Sequence, residues 1–203
     1  YILTLLMILC LTIASFGQER MLNGGLENWT SNTNPTDWTT VQNITQESTE
    51  KHGGSFSAKQ INSATSGYKK LIQNIPNTTV GESYTVSFWY KIAAGGGSVV
   101  KMWSNFRDGS GGFIDGTTAD ITLDVNGNAW TKYEETVIAP ATSVKFWFEV
   151  RTYSDTTVYL DDFSFFDNAT DSAPTPTLDI DNYWVQYPDD PSNGYNYTSR
   201  ADD

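Results

Sequence analysis

Apolar and polar residues alternate along several segments between Gln18 and Asp167. Glycine, asparagine, aspartate and proline bound these segments, and no window keeps a helical spacing over three turns. About eight short strands over about 150 residues indicate an all-β domain, a two-sheet antiparallel β-sandwich or jelly roll. The strands are predicted at 83–92, 98–107, 129–138, 143–152 and 156–166, with weaker ones at 38–46, 55–61 and 68–73.

The alternation also predicts which way each side chain points. Three of the strands combine one face of apolar side chains with a second face on which a tryptophan stands beside cations, amides or a carboxylate. We expect the three second faces to lie together on the open side of one sheet. Their residues are Trp89, Lys91, Trp103, Asn105, Arg107, Trp147, Glu149 and Arg151.

A surface of this kind suits carbohydrate. The apolar face of a pyranose ring stacks on tryptophan, while its hydroxyls need donors and acceptors held in place. The same residues also allow other arrangements. A loop can cover some of the tryptophans, and Arg107 and Arg151 can pack on the indole rings through cation–π contacts.

Charge and rare residues narrow the possible functions. The chain has 24 Asp and Glu against 12 Lys and Arg, a net charge of −12, so we expect no nucleic-acid partner. Cys10 is the single cysteine and His52 the single histidine. Intrachain disulfides, cysteine metal clusters and most serine–histidine or multi-histidine zinc sites are therefore excluded.

The two ends of the chain differ in character from the strand-rich part. Residues 1–17 carry no charge and contain an apolar run of signal-peptide length, which predicts secretion and no membrane attachment after cleavage. Residues 168–177 (NATDSAPTPT) read as an extended linker that ends the sandwich domain at 18–167. Residues 178–203 have too few apolar side chains for their own core and are interpreted as the start of a further, tethered module.

A second candidate site is acidic. Glu27 lies near the start of the domain and Asp161 in the last strand, where a carboxylate between apolar neighbours is costly to bury without compensation. A calcium ion completed by backbone carbonyls would compensate it. A solvated strand end is the alternative explanation for the neighbouring Asp162.

Five segments in order resemble one family across residues 22–166. They look like the jelly-roll carbohydrate-binding modules of the galactose-binding-like superfamily, of the family 4, 9 and 22 type. The resemblance implies a structural calcium ion held by Glu27, Asp161 and the loop at 51–54. The segments are NGGLEN at 23–28, PTDW at 35–38, KHGGSFS at 51–57, VGESYTVSFW at 80–89 and VYLDDFS at 158–164.

Three functions are compatible with these features. The favoured one is a non-catalytic module that binds a polysaccharide within a secreted multidomain protein; its signal peptide and Asp171-Ser172-Ala173 linker resemble those of Bacteroidetes. The second is an adhesion or structural sandwich. The third is a glycan-cleaving enzyme built around Glu149, which has no identifiable partner carboxylate in the sequence.

Overall fold

The computed structural model describes residues 17–93, 99–114, 120–125 and 128–168. The predicted signal peptide up to residue 16, most of the linker and the further module lie outside the described residues. Within the described ranges, no helix is long and apolar enough to cross a membrane.

The described residues form fourteen strands. The strands are β1 (Gln18–Glu19), β2 (Trp29–Ser31), β3 (Asn34–Pro35), β4 (Thr40–Val41), β5 (Ile44–Glu47), β6 (Ser57–Asn62), β7 (Tyr68–Pro76), β8 (Ser83–Ile92), β9 (Val100–Met102), β10 (Asn105–Arg107), β11 (Ile121–Thr122), β12 (Thr131–Ile138), β13 (Lys145–Tyr153) and β14 (Thr156–Asp167).

These strands build two six-stranded sheets and a small hairpin. The first sheet has the order β12-β8-β14-β6-β5, with β1 also on β14. The second sheet has the order β11-β9-β13-β7-β4, with β10 also on β13, while β2 pairs with β3. Every strand pairing is antiparallel. The predicted all-β sandwich is confirmed.

Aromatic side chains fill the space between the two sheets. Phe88 of the first sheet meets Phe148 of the second edge to face, with ring centroids 5.8 Å apart. Phe146 stacks on Phe165 at 4.4 Å. All four side chains are fully buried. The apolar faces predicted for β8 and β13 are therefore the core faces, and burial of this area is the main favourable term in folding.

Two predicted strands are each broken into two. The segment at 98–107 becomes β9 and β10, which both pair with β13. The break falls at Ser104, whose buried hydroxyl accepts the backbone N–H of Glu149 at 2.8 Å and so replaces a ladder bond. The segment at 38–46 becomes β4 and β5 in different sheets. Asn43 lies between them with a φ of 54°, a left-handed conformation that turns the chain.

A bulge interrupts β14 beside the acidic pair. The register with β8 shifts between Asp161 and Ser164, and Asp162 has a φ of 47°. Phe163 N–H donates to the carbonyl of Gly24 at 2.9 Å, so the glycine-rich segment near the domain start closes over the bulge. Asp161 lies directly opposite Trp89 of β8 and is fully buried.

Candidate functional site

The outer side of the second sheet carries six of the eight predicted site residues. They come from β10 and β13 and from the short segment between β9 and β10. We call this surface the aromatic face, because Tyr68, Phe113 and Tyr153 lie on it as well. The six residues are Trp103, Asn105, Arg107, Trp147, Glu149 and Arg151.

Glu149 is the centre of the aromatic face. Its carboxylate is almost completely buried, and its Oε1 accepts the Nε–H of Arg151 at 2.5 Å. The Nε1–H of Trp147 donates to Oε2 at 2.8 Å. The ammonium of Lys70 lies 3.6 Å from Oε1. One carboxylate therefore holds a tryptophan, an arginine and a lysine in position.

The two arginines pack on the tryptophan rings. The guanidinium carbon of Arg151 lies 3.8 Å from the centroid of Trp103 and 4.4 Å from that of Tyr68. The guanidinium carbon of Arg107 lies 5.2 Å from the centroid of Trp147. The cation–π alternative is therefore observed. A sugar that stacks on these indoles has to use ring surface that the guanidinium groups leave open.

Three buried polar atoms near Trp147 have no hydrogen-bond partner among the described residues. They are Oδ1 of Asn74, Oδ1 of Asn105 and Nε of Arg107. Asn74 and Asn105 face Trp147 directly from the strands on its two sides. Because buried polar groups without partners are costly, this cluster favours a ligand that brings hydrogen-bonding groups.

Sequence reasoning missed Tyr68, Lys70 and Asn74 of β7. The strand at 68–73 was predicted without assigning its faces. The same alternation that placed Trp147 and Glu149 also places Tyr68, Lys70 and Asn74 on one side. What the sequence could not provide is the pairing of β7 with β13, which brings this side onto the aromatic face.

Trp89 and Lys91 do not belong to the aromatic face. Both lie on β8, which pairs with β12 and β14 in the first sheet. The prediction that all three tryptophans share one sheet is therefore wrong. His52 stacks on Trp89 with ring centroids 3.7 Å apart and covers that side of the indole, while Lys91 pairs with Glu50 at 2.6 Å.

Glu27 and Asp161 hold the loop at 52–56 from its two ends. Oε1 of Glu27 accepts the backbone N–H groups of Ser55 at 2.9 Å and Phe56 at 3.1 Å. Oδ2 of Asp161 accepts those of His52 at 2.8 Å and Gly53 at 3.1 Å. The two predicted metal ligands therefore act on the same loop.

Burial dominates the electrostatics of Asp161. It raises the pKa of this carboxyl to about 6, although three backbone N–H groups partly oppose the shift. Within the described ranges, no three Asp, Glu, His or Cys side chains form a group that could hold a metal ion. A cation at this loop would therefore take several of its ligands from backbone carbonyls.

Comparisons with solved structures identify the class of fold to which this domain belongs. No protein-family model and no curated protein matches this chain. Among solved structures, the Family 16 Carbohydrate Binding Module-2 has 15% identity and a TM-score of 0.55, covering 72% of this chain and 98% of its own. The CBM22-1 xylan-binding domain of Paenibacillus barcinonensis Xyn10C has 18% identity and a TM-score of 0.55, with 77% and 99% covered.

A third structure belongs to a larger protein. The enzymatically active domain of bacteriophage CBA120 tailspike protein 4 has 15% identity and a TM-score of 0.60, covering 72% of this chain. The match spans 21% of the tailspike chain, so it concerns one part of that protein. Together these similarities show that the described domain has the jelly-roll sandwich fold of carbohydrate-binding modules.

Proposed function

We propose that this chain is a non-catalytic module that binds a polysaccharide on the aromatic face, within a secreted protein that has a further domain after the linker. The proposal rests chiefly on one observation: exposed and half-buried aromatic rings alternate with fixed polar groups across one open sheet. Two similar structures support it, since one is described as a xylan-binding domain and another as TmCBM61 in complex with beta-1,4-galactotriose.

The environment of Glu149 supports binding over catalysis. Arg151 and Lys70 neutralise its carboxylate, and Trp147 occupies its second oxygen. Glycoside hydrolysis needs two carboxyl groups about 5–10 Å apart across the scissile bond. Along β7, β9, β10 and β13, Glu149 is the one carboxylate that the strands place on this face. We therefore assign it a positioning role.

Truncating the tryptophans of the aromatic face tests this proposal. We expect Trp103→Ala and Trp147→Ala each to weaken polysaccharide binding by about 1–3 kcal/mol, between about fivefold and 150-fold, because each loses a ring contact. Calorimetry or affinity electrophoresis against a panel of neutral and acidic polysaccharides measures the loss. Circular dichroism checks that each variant is folded.

Trp89→Ala is the matched control, since this tryptophan lies on the opposite sheet beneath His52. We expect it to bind as tightly as the wild type. If Trp89→Ala loses binding while Trp103→Ala and Trp147→Ala keep it, the ligand lies on the first sheet. If no polysaccharide binds at all, the adhesion or structural alternative replaces the proposal.

We also propose that a calcium ion stabilises the loop at 52–56 through Glu27 and Asp161. Two observations support this. Asp161 is fully buried with a raised pKa, and a cation would offset the cost of its charge. Oε2 of Glu27 accepts no hydrogen bond within the described part of the chain, which leaves it available as a ligand.

Chelation tests the calcium proposal. A ligand bound only by the folded state raises stability with the logarithm of its concentration, so we expect the melting temperature to fall on adding chelator and to recover with calcium. Glu27→Gln and Asp161→Asn should lose this response, whereas Glu82→Gln, away from the loop, should keep it. A wild-type melting temperature that chelator does not change would refute the calcium site.

A further inference from the structure

Positive charge is concentrated on the aromatic face although the chain as a whole has a net charge of −12. Five of the 12 lysines and arginines project from its strands. Three carboxylates lie nearby: Glu149 is buried at the centre, Asp120 pairs with Lys101 at the edge, and Asp108 in the turn after β10 accepts hydrogen bonds from Ser110 and Gly112. The five cations are Lys70, Lys101, Arg107, Lys145 and Arg151.

Two of these five cations have no carboxylate partner within the described residues. Arg151 and Lys70 share Glu149, and Lys101 has Asp120. Arg107 and Lys145 face each other directly across β10 and β13. Like charges at such positions repel, and an anion between them would relieve the repulsion.

The guanidinium group of Arg107 is held in place by its neighbours, and one of its donors is buried without a partner among the described residues. Its Nη1 donates to the carbonyl of Gly111 at 3.3 Å, and the rings of Trp147 and Phe113 lie 5.2 and 5.9 Å from its central carbon. Its buried Nε has no acceptor among the described residues. Arginine is a common partner of carboxylate and sulfate groups, which accept N–H bonds from its guanidinium group.

Hydroxyl-binding groups lie beside this cationic pair. The buried, unpartnered Oδ1 atoms of Asn74 and Asn105 flank Trp147 on both sides, and an amide oxygen can accept a hydrogen bond from a hydroxyl. An acidic sugar residue combines an acid group, several hydroxyls and an apolar ring face. Nucleic acid also carries anions, but the overall charge of the domain opposes a long phosphate backbone.

We propose that the polysaccharide bound on the aromatic face is acidic, and that Arg107 and Lys145 together bind its carboxylate or sulfate groups. This inference rests on the proposed function and specifies its ligand class. The acid group lies between the two cations, while Asn74 and Asn105 accept the hydroxyls of the same or the next sugar. The site therefore selects against neutral chains of the same geometry.

Binding to matched polymers tests the proposal on the full chain. The carboxylate arm compares polygalacturonate with its fully methyl-esterified, neutral form, and the sulfate arm compares carrageenan with chemically desulfated carrageenan. We expect at least about tenfold tighter binding in one acidic arm than to its neutral counterpart, and weaker binding as salt rises from about 50 to about 300 mM. The arm that binds identifies the acid group.

Single-residue variants then test which cations bind the acid group. We expect Arg107→Gln and Lys145→Gln each to weaken acidic binding about tenfold or more, because each removes one charged partner. Lys132→Gln makes the same charge change on the exposed edge strand of the first sheet and should leave affinity unchanged.

Three results would overturn the acidic-ligand inference. The first is equal binding of acidic and neutral polymers, with both variants like wild type; glycan binding itself would then stand. The second is an equal loss of affinity for Lys132→Gln, which would mean that binding depends on the overall charge of the domain and not on Arg107 and Lys145. The third is equal affinity for a DNA oligonucleotide. If neither acidic nor neutral glycan binds, both the acidic-ligand inference and the proposed function are wrong.

Discussion

Glu149→Ala is expected to lower the free energy of unfolding by about 3 kcal/mol and to remove polysaccharide binding. The change leaves Arg151 and Lys70 without their shared carboxylate and leaves Trp147 Nε1 without its acceptor. Removing one partner of a buried ion pair costs several kcal/mol, because the remaining charge stays buried and uncompensated. Binding falls because the rings and the guanidinium group lose their fixed positions.

Chemical denaturation and calorimetry measure the two effects of Glu149→Ala. Glu149→Gln keeps an acceptor and similar volume, so it should lose less stability. Glu134→Ala removes an exposed carboxylate that pairs with Lys132 on β12, and should change stability by less than about 0.5 kcal/mol. A Glu149→Ala protein as stable as Glu134→Ala would show that the central carboxylate is not the organising group of the aromatic face.

Gly24→Ala is expected to destabilise the domain by about 3 kcal/mol, whereas Gly25→Ala should have little effect. A Cβ at Gly24 would overlap the carbonyl oxygen of Phe163, so the backbone would have to move and the Phe163–Gly24 hydrogen bond would be lost. A Cβ at Gly25 meets its nearest atom, an Asp162 oxygen, at an ordinary 3.7 Å.

Thermal and denaturant unfolding of the two alanine variants form a matched pair. The two glycines are adjacent, and replacing either one by alanine lowers the backbone entropy of the unfolded chain by the same amount. The difference in stability between the two variants therefore isolates the close approach at the β14 bulge. Because Gly24 supports the bulge that begins at Asp161, Gly24→Ala should also weaken any calcium response. Equal stability of the two variants would show that the bulge does not require Gly24.

The strands and their faces follow largely from local patterns. Each alternating apolar side chain that was predicted to face the core in β8 and β13 is buried, except Val144, which precedes β13 and is exposed. Two polar residues explain where the predicted strands break. The hydroxyl of Ser104 accepts a backbone N–H in place of a ladder bond and so splits one strand, and Asn43 turns the chain between β4 and β5. These breaks depend on contacts with β13 and on one backbone conformation, which the hydrophobic pattern does not encode.

The sequence by itself determined the all-β class, the inward and outward sides of the long strands, and the presence of aromatic residues beside cations. It determined these because alternation and turn residues act over a few neighbouring positions. Tertiary structure alone decided that Trp89 lies on the first sheet, that β7 adds Lys70 and Asn74 to the aromatic face, and that Arg107 faces Lys145. Strand order arises from burying both sheets against each other, and residues far apart in the chain decide that packing together.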